Sequence, residues 1–314
     1  MKHSKKISII IPVFNNAIAL KKLSNLLEKN LSKKFEQYEV IFINDGSIDN
    51  SFLFLTDISK LNKKFKVIDL SKNFGQHPAI SAGFDHADGD FIVLMDADLQ
   101  DDPAYIPLLF DTLTKNDLDV VYTIRVEPNK IISTRLTSIA FHFIFSKIIG
   151  TKIPFNIGTF RIFNRIFLDE IKKYNERNIL FGPLMFFMGF RSSFLNLKYE
   201  KQQSNISSYT FFKRLNIALN SLISYTDIPH KLSTYLGLLI LISSITYGIV
   251  IFTHYLFFGS SLPGGLTLIV FILCIMLGAI MLILGIIGNY IFRVYQEVLS
   301  RPRYHIRKKI NFEN

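Results

Sequence analysis

Phe91-Ile92-Val93-Leu94-Met95 runs without a charge into Asp96-Ala97-Asp98-Leu99-Gln100, and the reading of the whole chain turns on that junction. A short apolar run of strand formers predicts a buried strand over Phe91 to Met95, ending in a polar turn. Asp96 and Asp98 are two residues apart, so at a strand end both carboxylates lie on the same side. Hard oxygen ligands in that arrangement suit Mg²⁺ or Mn²⁺ shared with a diphosphate, and Gln100 adds a carbonyl oxygen. Taken alone, the stretch reads more readily as a solvated acidic loop, which is how the adjoining Asp101-Asp102 reads; its place after a strand, beside other polar strand ends, reverses that reading.

Working outward, Ile7 to Val13, Glu39 to Ile43 and Lys66 to Leu70 are further strand candidates. Ala17 to Asn30 and Ser51 to Asn62 lie between them with Leu, Ile and Phe at helical spacing. This alternation predicts βαβ units and a parallel sheet in an α/β fold. Ligands of such sheets sit outside the carboxyl ends of the strands. The residues there are Asn15-Asn16, Asn44-Asp45-Gly46-Ser47, Lys72-Asn73-Phe74-Gly75 and the Asp96 turn, so four strand ends aim polar groups at one place. Met1 to Phe14 looks superficially like a secretory signal. Pro12 interrupts its apolar stretch and Asn15-Asn16 stand where a small-residue cleavage site belongs, so a buried first strand is the better reading.

The chain has 314 residues, 49% of them hydrophobic, with 36 basic against 25 acidic side chains and a formal charge of +11. Its one cysteine, Cys274, excludes a disulfide framework and a multi-cysteine zinc site. Leu232 to Phe258 and Leu266 to Ile291 contain no Asp, Glu, Lys or Arg, which predicts two membrane-spanning helices. His230 and Lys231 precede them, and Arg293, Arg301, Arg303, Arg307, Lys308 and Lys309 follow. The positive-inside rule then places Gly259 to Gly265 outside and both termini in the cytoplasm of a multi-pass inner (plasma) membrane protein. Phe211, Leu215, Ala218-Leu219 and Leu222, and separately Ile131 to Ile149, predict amphipathic helices at the membrane surface, with membrane lipids as partners. The expected organisation is a cytoplasmic domain over 1–229, a transmembrane hairpin over 230–292 and a basic tail over 293–314. Nucleic acid is not an expected partner, because the positive charge gathers beside the apolar runs and not on an aromatic platform.

Ile10-Ile11-Pro12-Val13-Phe14-Asn15, Ile43-Asn44-Asp45-Gly46-Ser47, Lys72-Asn73-Phe74-Gly75-Gln76, Ser81-Ala82-Gly83 and Asp96-Ala97-Asp98-Leu99-Gln100 together resemble glycosyltransferase family 2, in its polyprenyl-phosphate branch. Gly158-Thr159-Phe160-Arg161 and Gly285 to Glu297 extend the resemblance over nearly the whole chain. It implies a GT-A nucleotide-sugar-binding domain and inverting transfer of a sugar from a nucleotide-diphosphate donor to a polyprenyl (undecaprenyl) phosphate. It also implies that Asp45 contacts the base, Asp96 the ribose or diphosphate side, and Asp98 with Gln100 the Mg²⁺ or Mn²⁺ ion. Pro12, Val13, Asn15, Asn73, Gly75 and Ala97 then line the nucleotide sugar. Arg125 and Arg135 match positions that grip phosphate and join Asp96 and Asp98 as catalytic candidates. Thr159 stands where the branch usually has Asp, Asn16 replaces a common Glu, and Asn205-Ile206-Ser207-Ser208-Tyr209 lacks the branch's glycine and lysine.

Beyond Glu127 the acids are only Asp169, Glu170, Glu176, Glu200, Asp227, Glu297 and Glu313, and the Glu-Asp pair of hydroxyl-glycosylating relatives is absent. An alkyl phosphate has a second pKa near about 6 and attacks without a general base. The missing pair therefore predicts a phosphate acceptor. The alternatives are transfer to a hydroxyl of a lipid-linked saccharide, with Asp169 or Glu200 as base, and a catalytically silent binding protein. Intact Asp45, Asp96, Asp98 and Gln100 argue against the last. The sequence is compatible with a homo-oligomer.

Overall fold

The computed structural model describes residues 3–126, 157–176, 179–198 and 265–312, together with positions 242, 246, 249, 253, 256 and 257. Arg135, Glu127, Glu200, the Asn205 to Tyr209 stretch and both amphipathic candidates lie outside the described residues. Two compact units are present, Met1–Ile206 with Arg301–Asn314, and Ser207–Ser300.

In the first unit, β1 (Ile7–Val13), β2 (Tyr38–Asn44), β3 (Phe65–Leu70) and β4 (Phe91–Leu94) alternate with α1 (Ala17–Lys34), α2 (Ser51–Leu61) and α3 (Gln76–Asp85). Ile7, Ile9, Ile10 and Ile11 are all fully buried, as a central parallel strand covered on both faces requires. Leu20, Leu23, Leu27 and Leu31 recur every three or four residues and form the buried stripe of α1. α4 (Ile106–Lys115), β5 (Val120–Val126), β6 (Ile157–Asn164), α5 (Arg165–Lys172), α6 (Phe181–Phe187), β7 (Ser192–Lys198) and β8 (Ile306–Ile310) complete the unit among the described residues.

The eight strands form one mixed sheet in the order β7-β5-β6-β4-β1-β2-β3-β8. Its four central strands are parallel, with β1 paired to β2 on one side and to β4 on the other. The strand order reverses at β1 and β4, and their carboxyl ends frame the crevice that such a reversal opens. β6 runs antiparallel to β4 with Leu94 opposite Arg161, which brings Thr159 alongside the Asp96 turn. β8 runs antiparallel to β3 at the far edge. The four predicted strands and two predicted helices are present within a few residues of their expected limits, and Arg125, expected beyond a strand, lies within β5.

One expectation is corrected. Crossing a hydrocarbon core of about 30 Å takes about 20 consecutive apolar residues in a helix. Among the described residues no helix is long and apolar enough to cross a membrane, contrary to two spans in a multi-pass inner-membrane protein with cytoplasmic termini. Most of Leu232 to Phe258 lies outside the described residues. Leu266 to Ile291 falls within α7 (Gly265–Val298), which continues through Arg293 and Glu297.

Candidate active site at the carboxyl ends of the central strands

The chain leaves β1 through Asn15 in a left-handed conformation (φ 49°). Its backbone N–H donates to Ser47 Oγ at 3.1 Å, and its side-chain Oδ1 accepts from the Ile48 N–H at 2.9 Å. Val13, beside Pro12 in β1, accepts the Asp45 N–H at 2.9 Å. The loops after β1 and β2 are therefore bolted together in both directions.

Asp45 does the same for the loop after β3. Its side chain is buried, and its two oxygens accept from the Phe74 N–H at 2.7 Å and the Gly75 N–H at 2.9 Å. Burial raises its pKa, while these two hydrogen bonds lower it. Gly46 follows at φ +62°, where a Cβ would meet Asn73 N and Lys72 C at 2.4 Å. Glycine is required there both for the dihedral and for the close approach of the loop that carries Asn73 and Gly75.

At the end of β4 the carboxylates crowd. Asp96 Oδ1 accepts from Gln76 Nε2 at 2.9 Å, and Asp98 Oδ1 accepts from the Gln100 N–H at 3.0 Å. Asp101, expected to be solvated, is 1% exposed, and its Oδ2 accepts the Asp96 N–H at 3.2 Å. Asp102 instead caps the following turn through the Ala104 N–H at 2.9 Å. From β5, Arg125 places a guanidinium nitrogen 3.8 Å from Asp96 Oδ2 and 3.6 Å from Asp101 Oδ1, and donates to Gln100 Oε1 at 3.2 Å. Asp96 is pushed up to about 7, first by burial and then by the charges of Asp101 and Asp98, while the Thr159 hydroxyl and Arg125 pull the other way. Ala97 between them is buried.

Two residues that composition did not single out complete the surroundings. Arg161 is 6% exposed and donates to the carbonyls of Thr159 and Gly158, both at 2.9 Å, with Met185 Sδ at 3.1 Å and the Tyr122 ring 5.4 Å away. His77, in the first turn of α3, is driven down to about 4 by burial and by the Arg161 charge, so it is neutral. Its buried Nδ1 has no hydrogen-bond partner.

The expected metal ligands come together as Asp98 and Gln100 on one turn. Among the described residues no group of three or more His, Cys, Asp or Glu side chains is placed to hold a metal ion by itself. That is consistent with a magnesium-type site, which uses one or two carboxylates and takes its other ligands from water and substrate phosphates. Asp96, Asp98 and Asp101 make the turn anionic, a setting that would favour a cation.

Two of the acids further along, Asp169 and Glu170, lie elsewhere. α5 follows Asn164, which pairs with Phe91 at the amino end of β4, so Asp169 and Glu170 stand at the opposite edge of the sheet from Asp96. Asp169 is 3.9 Å from Arg165, and Glu170 pairs with Lys173 at 2.5 Å.

Residues 8–172 match the family model described as "Glycosyl transferase family 2". The prophage-derived bactoprenol glucosyl transferase of Shigella flexneri is 32% identical over 309 residues, covering 96% of this chain and 98% of that one. The glycosyltransferase YkcC of Bacillus subtilis (strain 168) is 32% identical over 308 residues, covering 98% and 95%. A mycobacterial protein of known crystal structure superimposes with a TM-score of 0.51 at 15% identity, covering 70% of this chain and 75% of that one.

Proposed function

Since the chain belongs to glycosyltransferase family 2 and is a glycosyltransferase of α/β, GT-A-like fold, we propose that it moves a sugar from a nucleotide-diphosphate donor to a polyprenyl phosphate with inversion at the anomeric carbon. The observation that carries the acceptor is the position of Asp169 and Glu170, at the far edge of the sheet from the Asp96 turn. A hydroxyl nucleophile calls for a positioned base, whereas a phosphate near its dianionic form does not. The name of the Shigella flexneri relative, which joins bactoprenol to a glucosyl group, supports the same acceptor class.

Asp45, Asn15 and the loop carrying Asn73 and Gly75 form the edge for the nucleotide, and Pro12, Val13 and Ala97 shape its floor. Asp98 and Gln100 would hold Mg²⁺ or Mn²⁺, which neutralises charge on the leaving diphosphate when bound. Arg125, aimed at the same turn from β5, adds a fixed positive charge where the diphosphate departs. Arg135 is assigned to the same task at the acceptor. The acceptor phosphate oxygen attacks the anomeric carbon opposite the leaving group. The bond to the donor phosphate breaks, and the nucleoside diphosphate carries away the electron pair.

The test presents purified protein with undecaprenyl phosphate or undecaprenol in detergent micelles, Mg²⁺ or Mn²⁺, and a panel of nucleotide sugars, with lipid products identified by mass. Glycosylation of the phosphate alone is expected. Equal or preferential transfer to the alcohol overturns the acceptor assignment.

A further inference from the structure

β8 joins the sheet through an irregular register. Asp69 lies opposite Lys308 and Leu70 opposite Ile306, so Arg307 is the extra residue of a bulge on the β8 side. Bulges re-aim side chains. Here Arg307 Nε donates to Asp69 Oδ2 at 2.6 Å. Asp69 is 1% exposed, and its other oxygen accepts from Asn44 Nδ2 at 2.7 Å. Asn44 is fully buried, and its Oδ1 accepts from the Ser47 N–H at 3.3 Å. Ser47 in turn holds Asn15. An unbroken series of hydrogen bonds thus runs from β8 into the loops around Asp45.

A second contact from the same segment reaches the facing loop. The His305 carbonyl accepts the Ser71 N–H at 2.9 Å, and the His305 ring lies 6.0 Å from that of Phe74, whose N–H is bound by Asp45. β8 therefore braces both loops that Asp45 ties together.

We propose that β8 is a working part of the nucleotide edge and that Arg307 is a positioning residue for donor binding, acting through Asp69 and Asn44 on the Asp45–Ser47 turn. This rests on reading that edge as the nucleotide site. Arg307 is the only ion-pair partner of Asp69 among the described residues. Without it the buried carboxylate is left uncompensated and is drawn away from Asn44 toward water, because an unpaired buried charge is costly. Asn44 then loses its fixed orientation, and the loop it orders widens its motion.

The test uses the full chain with Arg307→Gln, Arg307→Lys and Asp69→Asn, and with Lys308→Ala as the control on the same strand. Two quantities are measured: amide hydrogen exchange over residues 44–49 and 72–76, and KM and kcat for the nucleotide sugar the wild type uses. Arg307→Gln is expected to speed exchange in these two segments selectively, to raise donor KM roughly fivefold or more, and to leave kcat within about twofold. Arg307→Lys should recover part of both effects, and Lys308→Ala should show neither. Exchange and KM for Arg307→Gln equal to those of Lys308→Ala overturn the proposal, as does acceleration spread over the whole sheet with a fall in kcat. If the wild type uses no nucleotide sugar, the donor reading fails. Exchange then still decides whether Arg307 orders the loops.

Discussion

Gly46→Ala tests the architecture of the nucleotide edge most directly, because its cost can be worked out against that of Gly75→Ala. Gly75 has φ +100° with ψ 164°, a region open essentially only to glycine, yet a Cβ there meets nothing nearer than Pro78 Cδ at 4.0 Å. Gly75→Ala therefore carries backbone strain alone, about 1–3 kcal/mol. At Gly46 the left-handed dihedral costs about 1–2 kcal/mol. In addition, the new Cβ falls 2.4 Å from Asn73 N and Lys72 C, where ordinary contact begins at 3.4 Å. Both obstructing atoms are backbone, so the 72–75 loop must retreat by about 1 Å, which pulls the Phe74 and Gly75 N–H groups off Asp45. Weakening charge-assisted hydrogen bonds worth about 1.5–3 kcal/mol each brings the expected total to about 3–5 kcal/mol. At about 2–4 °C per kcal/mol for a unit of this size, the Tm should fall by about 6–20 °C, with a larger loss for Gly46→Ala than for Gly75→Ala. Thermal and urea unfolding of both variants give the answer. A Gly46→Ala protein within about 1 kcal/mol of wild type, or more stable than Gly75→Ala, would refute the close loop approach.

Asp98→Ala should abolish transfer while leaving the fold and Tm near wild type, since the role proposed for Asp98 is to hold a cation and its side chain is not part of the core. Undiminished activity in excess chelator would count against the metal assignment. Arg125→Ala should slow transfer roughly ten- to a hundredfold at saturating donor through loss of a charge-assisted contact, whereas Asp169→Ala and Glu170→Ala should remain within a fewfold of wild type; a loss of several orders of magnitude at either acid would point to a general base and a hydroxyl acceptor. His77 titrates near 4 when folded against an ordinary 6.5, so the unfolded chain binds the extra proton between those values, and its contribution is full above about pH 6.5 and lost as pH falls toward 4. At about 1.4 kcal/mol per pKa unit that is at most about 3.5 kcal/mol. It should show as the difference between wild type and His77→Gln in urea midpoint against pH, because Asp96, whose pKa is raised, contributes with the opposite sign; parallel curves would exclude it.

The central strands were legible in the sequence because burial on both faces leaves an unbroken apolar run, as in Ile7 to Val13. Their alternation with amphipathic segments places Asp45 and Asp96 at the same edge. β8 was not legible. Ile306-Arg307-Lys308-Lys309-Ile310 carries three positive charges, as edge strands often do, and composition alone read it as a basic collar. Asp101 was missed for a different reason: Asp101 and Asp102 are the same residue type side by side, and only the turn geometry decides that one is buried under Asp96 while the other caps a helix. The membrane spans rested on absence of charge, a property of composition, and the described helices do not supply the long apolar run that the inference needs.

The charges at the site point to the class of substrate. Asp45, Asp96, Asp98 and Asp101 place four carboxylates at one edge of the sheet, and the guanidinium groups of Arg125 and Arg161 answer two of them. Burial, and after it the charges of Asp101 and Asp98, push Asp96 up to about 7. A nucleoside diphosphate brings further negative charge into the same space, so donor binding without a cation would set like charges against each other. In the proposed mechanism a divalent cation on Asp98 and Gln100 would offset that negative charge, leaving the arginines to meet the phosphates. Among the described acids, Asp45 and Asp101 order loops, Asp98 is the proposed cation ligand, and Asp169 and Glu170 follow the strand end opposite the Asp96 turn. A nucleophile that arrives already charged needs nothing more from them, and a phosphate acceptor meets that requirement where a hydroxyl does not.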